Sequence, residues 1–286
     1  MPVDLHVHST ASDGTLSPTE MVAAAADRGL SAMALADHDT VAGVAEALAA
    51  GEQRGIDVFP AVEIGTYHAG KEVHILAYMV RPAHRELLQL LTRIRESRLE
   101  RAGKILARLN DLGVPLRLED ILENCRGDSL GRPHVAAALV ARGHVPDAQT
   151  AFERYLRRGR SAYVPRFRPP SAGTIELIRE AGGIAVMAHP GIGNAGAAIP
   201  ALAELGLAGI EAYHIDHSGD RTQRLLRIAS SLGLIVTGGS DSHGPGGPKP
   251  VEVGEVVVPD ECAEALRRWG REHGAWPPPP WPRETE

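Results

Sequence analysis

Histidine and carboxylate residues recur at the ends of short apolar segments along this chain of 286 residues. The first segment, Val3-Asp4-Leu5-His6-Val7-His8, alternates as a β-strand does, so His6 and His8 project from the same face. Two imidazoles on one face are potential metal ligands. An isolated pair of this kind is more often two half-buried histidines, but here the pattern is repeated further along the chain.

Six strand-like segments together supply nine candidate ligands with imidazole or carboxylate side chains. They are His6, His8, Asp13, His38, Glu63, His74, His189, Asp241 and His243. Most of them lie at or just after the carboxyl end of an apolar segment, which is the edge of a β/α barrel that carries active sites. Burying such groups without partners is costly. If these residues had only a structural role, each of the apolar segments that end in imidazole or carboxylate would need a separate explanation.

The donor set indicates which ions could bind. Nine nitrogen and oxygen donors without a thiolate exceed the needs of one tetrahedral ion. They suit two or three divalent ions, with Mn²⁺ as the first choice and Zn²⁺ or Fe²⁺ as alternatives. We therefore expect a cluster of metal ions at one edge of the fold.

Strand-like and helical segments alternate on both sides of the middle of the chain. Ser17-Pro18-Thr19-Glu20 predicts a helix start with a capping box, and Gly29 can end that helix in a left-handed conformation. Apolar strands and helices then alternate with short connections. This order predicts an α/β fold with a mainly parallel sheet or barrel.

The middle of the chain is helical and basic. Residues 81–170 contain 17 Arg and one Lys against ten acidic residues, although the whole chain has a formal net charge of −6. We expect a helical insertion at 82–165, a barrel formed by 1–81 and 166–275, and a Pro-rich tail at 276–286. The basic residues could be solvated helix faces, or they could face a polyanionic substrate.

Composition excludes several classes of protein. Two cysteines far apart cannot form a disulfide framework or a Cys-rich zinc site. No apolar run approaches the roughly 18–20 residues of a membrane helix, and no secretory leader precedes the first strand. Walker A and nucleophile-elbow motifs are also absent from the sequence. We expect a cytoplasmic protein without membrane association or DNA-specific binding, and the sequence identifies no protein partner.

The combined motifs resemble the PHP (polymerase and histidinol phosphatase) family over nearly the whole chain. This resemblance implies a distorted (β/α)7 barrel with a trinuclear metal centre that hydrolyses phosphoesters. It also implies how the ligands are shared. One ion would be held by His6, His8, Glu63 and Asp241, a second by Glu63, His74 and His189, and a third by Asp13, His38 and His243.

Gly131-Arg132-Pro133-His134, within the insertion, resembles the branch that removes the 3′-phosphate of nucleoside 3′,5′-bisphosphates. Some members of that branch are 5′→3′ exoribonucleases on short RNA. Arg132 could bind a phosphate bidentately and His134 could donate a hydrogen bond or a proton to it, giving both a catalytic and a substrate-binding role. Each could instead stabilise only the start of a helix. His214 and His217 follow another strand, and we select His217 as a further substrate contact.

Two other functions remain open at this point. The substrate could be histidinol phosphate or another small phosphomonoester, although the Arg-rich insertion counts against it. The chain could also be a non-catalytic metal-binding scaffold, although its ligand set is intact.

Overall fold

Seven strands form a sheet in which each strand pairs with the next one along the chain. The structure, a computed structural model, describes residues 2–123, 130–193, 195–247 and 250–281. The strands are β1 (Val3–Val7), β2 (Ala32–Leu35), β3 (Asp57–His68), β4 (Lys71–Tyr78), β5 (Ile184–Met187), β6 (Gly209–His214) and β7 (Ile235–Gly239). The expected seven-stranded α/β barrel is confirmed.

Strand β4 runs antiparallel to both of its neighbours, whereas the other neighbouring strands are parallel. Ala69 and Gly70 form the turn between β3 and β4, and both have positive φ angles, 44° and 84°. Positive φ is what the tight turns of hairpins require. β4 therefore begins at the edge of the sheet where its parallel neighbours end.

The chain after β7 pairs with β1 and nearly closes the barrel. The Asp241 amide donates to the His6 carbonyl at 2.9 Å, and the His8 amide donates to the Ser242 carbonyl at the same distance. The residues that follow β7 are thereby held beside His6 and His8.

Ten α-helices accompany these strands in the described part of the chain. They are α1 (Pro18–Asp27), α2 (Val44–Arg54), α3 (Arg85–Asp111), α4 (Leu118–Leu122), α5 (Arg132–Ala141), α6 (Ala148–Ala151), α7 (Ser171–Glu180), α8 (Ile199–Glu204), α9 (Gly219–Leu232) and α10 (Asp260–Glu272). A π-helical segment, Phe152–Leu156, follows α6, and a 3₁₀ turn, Ala195–Ala198, precedes α8. The sequence had not predicted α10.

Helix α1 has the predicted start. Ser17 Oγ accepts a hydrogen bond from the Glu20 amide at 3.2 Å, and the Glu20 carboxylate accepts one from the Ser17 amide at 2.8 Å. Gly29, with a φ angle of 74°, follows the end of the helix. The capping box and the left-handed glycine are confirmed.

The chain divides into two compact units. The first comprises Met1–Gln89 and Pro169–Glu286 and contains all seven strands. The second comprises Leu90–Arg168, and its described residues form helices and loops without a strand. Its own apolar core includes Ile105, Leu109 and Leu139, each at most 1% exposed.

The Pro-rich tail begins against the barrel. The Trp276 ring stacks on Phe59 of β3 with centroids 4.6 Å apart, and Phe59 is fully buried. Residues 277–281 form neither helix nor strand, and the rest of the tail, 282–286, lies outside the described residues. Among the described helices, none has the length and apolar character needed to cross a membrane.

Candidate metal centre

The nine candidate ligands converge at the edge of the barrel where the parallel strands end. Their donor atoms form three groups, and within each group all atoms lie within 4.8 Å of one another. The groups are His6, His8 and Asp241; Glu63, His74 and His189; and His8, Asp13, His38 and His243. Every residue that the sequence analysis singled out as a ligand is in at least one group.

The reversed direction of β4 explains the position of His74, which is not at a strand end. His74 is the fourth residue of β4 and pairs with Gly65 of β3. Because β4 begins at the edge where the parallel strands end, a residue near its start lies beside their carboxyl ends. His74 Nδ1 is thus 2.7 Å from Glu63 Oε1.

In the first group, His6 of β1 and His8, the residue after β1, face each other and Asp241. The Nε2 atoms of His6 and His8 are 3.1 Å apart, and His8 Nε2 is also 3.1 Å from Asp241 Oδ1. Both histidines are fully buried. Such separations match the ligand–ligand spacing around one ion, roughly 3.0–3.4 Å for bonds of about 2.1 Å.

Glu63 lies at the centre of the second group and also reaches the third. Its Oε1 is 2.9 Å from His189 Nε2, and its Oε2 is 2.9 Å from His38 Nδ1. Burial alone would raise the pKa of this carboxyl group, but His38, His74 and His6 hold the pKa well below its usual range. The carboxylate is therefore the charged form at neutral pH.

The donor atoms of the third group are more widely spaced. Asp13 Oδ1 is 3.5 Å from His243 Nε2, and Asp13 Oδ2 is 3.9 Å from His38 Nε2. The side chains of Asp13 and His38 are 23% and 19% exposed, whereas that of Glu63 is 1% exposed. His74 and His189 of the second group are similarly accessible, at 20% and 16%, so Glu63 is the buried centre of the cluster.

The cluster fits divalent metal ions on its own chemistry. Glu63 Oε2 is buried and accepts no hydrogen bond, although an imidazole nitrogen lies 2.9 Å away. Buried polar atoms are normally hydrogen-bonded, so an orphaned carboxylate oxygen among imidazoles points to an absent cation. His189 and Asp241 have positive φ angles of 29° and 55°. Such strained backbone is common at functional sites.

Two further aspartates hold the loops that carry ligands. Asp37 accepts hydrogen bonds from the Ser9 amide at 2.7 Å and from the Ser12 hydroxyl at 2.6 Å, which fixes the loop before Asp13. Asp4 accepts from the Ser240 amide at 2.9 Å and from its hydroxyl at 2.6 Å, which fixes the residue before Asp241.

Glu211, in β6, was not among the predicted site residues. Its Oε1 is 3.0 Å from His6 Nδ1, and its Oε2 accepts a hydrogen bond from the His189 amide at 2.7 Å. A carboxylate on the ring nitrogen opposite the donor atom orients a metal-binding histidine and increases its basicity. Glu211 thus supports two candidate ligands from a fully buried position.

The two histidines after Glu211 differ in their surroundings. His217 Nδ1 donates to the Ala212 carbonyl at 2.9 Å, and its Nε2 accepts from the Gly191 amide at 3.1 Å. Both of its ring nitrogens are therefore engaged by backbone. His214 is 3% exposed, and its Nε2 is directed towards Asp241. The substrate contact predicted for His217 stays a prediction, and the geometry brings His214 closer to the centre.

Arg132 and His134 belong to the second unit, at the start of α5. Arg132 Nη1 donates to the Leu156 carbonyl at 3.1 Å, and its guanidinium lies 5.7 Å and 5.6 Å from the ring centroids of Phe152 and Tyr163. His134 Nδ1 accepts from the Gly131 amide at 3.0 Å. These contacts fix both side chains at the helix start.

The second unit also concentrates positive charge around Arg132. Arg101, on α3, is 9% exposed and donates from Nε to the Val164 carbonyl at 2.8 Å. Burial, together with the nearby Arg132 and Arg166, lowers the pKa of Arg101 to about 10. Guanidinium groups this close together create a local positive potential that attracts anions.

Comparison with known proteins agrees with the geometry. The family model described as PHP domain matches residues 4–163. A 3′,5′-nucleoside bisphosphate phosphatase of Chromobacterium violaceum is 37% identical over 250 residues, covering 85% of this chain and 88% of the relative. A 5′-3′ exoribonuclease of Haemophilus influenzae is 36% identical over 265 residues, covering 90% of this chain and 96% of the relative.

A solved structure is similar over the whole fold. It is described as a metal-dependent phosphoesterase of Bifidobacterium adolescentis, is 33% identical, and superposes with a TM-score of 0.81 over 94% of this chain and 98% of that one. The family model covers more than half of the chain, and the relatives match most of it. The chain belongs to the PHP domain family.

Proposed function

We propose that this PHP phosphoesterase removes the 3′-phosphate of nucleoside 3′,5′-bisphosphates, converting adenosine 3′,5′-bisphosphate to AMP and phosphate. The observation that carries the proposal is the convergence of nine nitrogen and oxygen donors around the buried carboxylate of Glu63. The relatives of C. violaceum and H. influenzae act, by their names, on nucleoside bisphosphates and RNA, which supports a nucleotide substrate. A nucleotide substrate also supports the cytoplasm as the protein's location.

The donor set supports two or three divalent ions, with Mn²⁺ as the first choice and Zn²⁺ or Fe²⁺ as alternatives. In this proposal one ion would be held by His6, His8, Asp241 and Glu63, a second by Glu63, His74 and His189, and a third by Asp13, His38 and His243. When bound, such ions act as Lewis acids on a phosphoryl group and lower the pKa of water. Glu63 lies between the first two groups, since its Oε2 is 3.5 Å from both His6 Nε2 and His8 Nε2.

The protein's own side chains orient these donors. Glu211 holds His6 Nδ1, so the His6 Nε2 lone pair faces Asp241 and His8. Glu63 keeps its charge among three imidazoles because their combined effect on its pKa exceeds that of burial. The site is thus ordered before a substrate arrives, which avoids reorganisation during the reaction.

The basic second unit supports a substrate with two phosphates. The two aromatic rings and the Leu156 carbonyl hold the Arg132 guanidinium, whose planar fork can bind a phosphate through two hydrogen bonds. His134 Nδ1 accepts from the Gly131 amide, so its Nε2 carries the proton when the ring is neutral. In this proposal Arg132 binds the phosphate that is not cleaved, and His134 Nε2 donates to a phosphate oxygen.

Exonuclease activity on short RNA is a second candidate function. The H. influenzae relative is named for it, and a basic unit that binds one phosphate could also bind an RNA backbone. A 5′-phosphorylated short RNA therefore belongs in the same test.

The test compares three substrates on metal-loaded protein: adenosine 3′,5′-bisphosphate, a 5′-phosphorylated short RNA and histidinol phosphate. We expect phosphate release from the bisphosphate, loss of activity with a chelator, and recovery with Mn²⁺. Equal or faster turnover of histidinol phosphate would contradict the nucleotide substrate. Bound metal without hydrolysis of any phosphoester would instead identify a scaffold.

A variant links that activity to the cluster. Glu63→Gln removes the negative charge that lies between the first and second donor groups. We expect kcat/KM to fall by roughly 100-fold or more, equivalent to about 2.7 kcal/mol of transition-state stabilisation. Glu52→Gln, on the exposed side of α2, is the matched control and should keep wild-type activity. Wild-type turnover in the Glu63→Gln variant would contradict the proposed centre.

A further inference from the structure

His214, the last residue of β6, is buried beside the candidate metal centre but belongs to none of its three donor groups. Its Nδ1 accepts a hydrogen bond from the Asp216 amide at 3.1 Å. Its Nε2 is buried and has no hydrogen-bond partner among the described residues. A buried polar nitrogen without a partner is rare enough to require an explanation.

The hydrogen bond to Nδ1 fixes where the proton of His214 lies. A ring nitrogen that accepts from an amide must carry its lone pair, so a neutral His214 holds its proton on Nε2. A protonated nitrogen cannot bind a metal ion. His214 is therefore not a tenth ligand, although its Nε2 is directed towards the cluster.

The group that faces this N–H is Asp241. His214 Nε2 is 3.6 Å from Asp241 Oδ2, whereas the other oxygen, Oδ1, lies 3.1 Å from His8 Nε2. The two oxygens of Asp241 thus point in different directions, one towards His8 and the other towards His214. Because Nε2 is shielded from solvent, a substrate oxygen has no access to it in this arrangement.

Neighbouring groups hold the His214 ring in this orientation. Its ring centroid is 5.4 Å from that of His189 and 5.2 Å from that of His217. His217 is itself bound at both nitrogens by the backbone of Ala212 and Gly191. The imidazole is thus packed against two other imidazoles.

We propose that His214 is a positioning residue whose Nε2–H donates to Asp241 Oδ2 and so directs Asp241 Oδ1 towards the metal ion. This inference rests on the metal centre of the proposed function but not on its substrate. The distance of 3.6 Å needs to shorten by several tenths of an ångström to become a hydrogen bond. A cation bound to Asp241 Oδ1 would fix the orientation of the carboxylate and so favour the hydrogen bond from His214 to Oδ2.

The test measures metal binding without any substrate. Mn²⁺ is titrated into metal-free wild-type protein and into His214→Gln and His214→Met variants. Glutamine can retain an N–H near the Nε2 position, whereas methionine fills the space without a donor. We expect His214→Met to weaken metal binding by about 10- to 100-fold, as loss of a group that orients a ligand does, and His214→Gln to recover most of it.

His273→Gln is the control, because this exposed histidine after α10 contacts the Trp269 carbonyl and belongs to none of the three donor groups. Its metal affinity should stay within a few-fold of the wild type. Metal binding by His214→Met equal to that of the wild type would overturn the inference and leave the proposed function intact. A wild-type protein that binds no Mn²⁺ at all would contradict the metal centre itself.

A second measurement uses the wild-type protein, so it does not depend on a variant that folds. The ¹⁵N chemical shifts of the His214 ring report which nitrogen carries the proton. We expect a protonated Nε2 and an unprotonated Nδ1, with the Nε2–H signal retained after the diamagnetic ion Zn²⁺ is added. Loss of that proton on metal binding would show that His214 is a ligand and would overturn the positioning role.

Discussion

At the scale of single residues, Glu211 contacts two candidate ligands, His6 and His189. One carboxylate oxygen binds the ring of His6 and the other binds the amide of His189. Burial alone would raise the pKa of Glu211, but His6 and its other histidine neighbours lower it, so the group is charged at neutral pH. The same side chain therefore controls the direction of one imidazole and the backbone beside another.

Replacing Glu211 with glutamine should weaken metal binding more than it weakens the fold. Glutamine keeps the size of the side chain but removes its charge, so His6 loses the partner that orients its ring. We expect metal affinity to fall by about 10- to 100-fold, measured by calorimetric titration of metal-free protein. Glu204→Gln, at the exposed end of α8, is the control and should bind metal as the wild type does. An unchanged affinity for Glu211→Gln would show that His6 needs no such partner.

At the scale of elements, α1 shows how a local sequence motif contributes stability. Ser17 and Glu20 each satisfy one backbone amide that the first turn of the helix leaves without an intrahelical partner. We expect Ser17→Ala to lower the free energy of unfolding by about 1 kcal/mol, measured by denaturant titration. Ser17→Thr keeps a hydroxyl acceptor and should lose much less. Equal losses in the two variants would attribute the effect to packing rather than to the cap.

The strands illustrate what the sequence could and could not predict. The position of His189 followed from an apolar segment that ends in a ligand, because this pattern is local. Glu63 was expected after its strand, but β3 continues beyond it to His68. The reason that His74 reaches the same edge was not local. It depends on the direction of β4, which the turn at Ala69 and Gly70 reverses. Alternation within a strand carries no information about the direction in which that strand runs.

The supporting groups were missed for a different reason. Glu211 and His214 are also a carboxylate and an imidazole near the end of a strand, so the signal for them was present in the sequence. A metal ligand and a residue that orients a ligand can have the same side-chain type and the same position near the end of a strand. Only the hydrogen bonds at each ring nitrogen, such as that from the Asp216 amide to His214, distinguish the two.

At the scale of the whole molecule, the metal centre joins most of the barrel. The candidate ligands lie in or just after β1, β2, β3, β4, β5 and β7, so an ion bound to them would link strands far apart in the sequence. Without an ion, the neighbouring carboxylates raise the pKa values of His6, His38 and His74, although burial alone would lower them. Burial lowers the pKa of His74, but the charge and hydrogen bond of Glu63 outweigh it and raise this pKa to about 9.

These charges predict that metal-free and metal-loaded proteins respond to pH in opposite directions. The raised pKa of His74 stabilises the metal-free fold most fully below pH 6.5, its value for the unfolded chain, and this contribution is lost as the pH rises towards 9. A metal ion must displace that proton, so its affinity should increase about tenfold per pH unit for each proton displaced. Bound metal stabilises only the folded state. We therefore expect the rise in Tm on adding Mn²⁺ to be larger at pH 8.5 than at pH 6.5, measured by calorimetry, and to be much reduced in Glu63→Gln. An equal rise at both pH values would show that metal binding displaces no proton from the cluster.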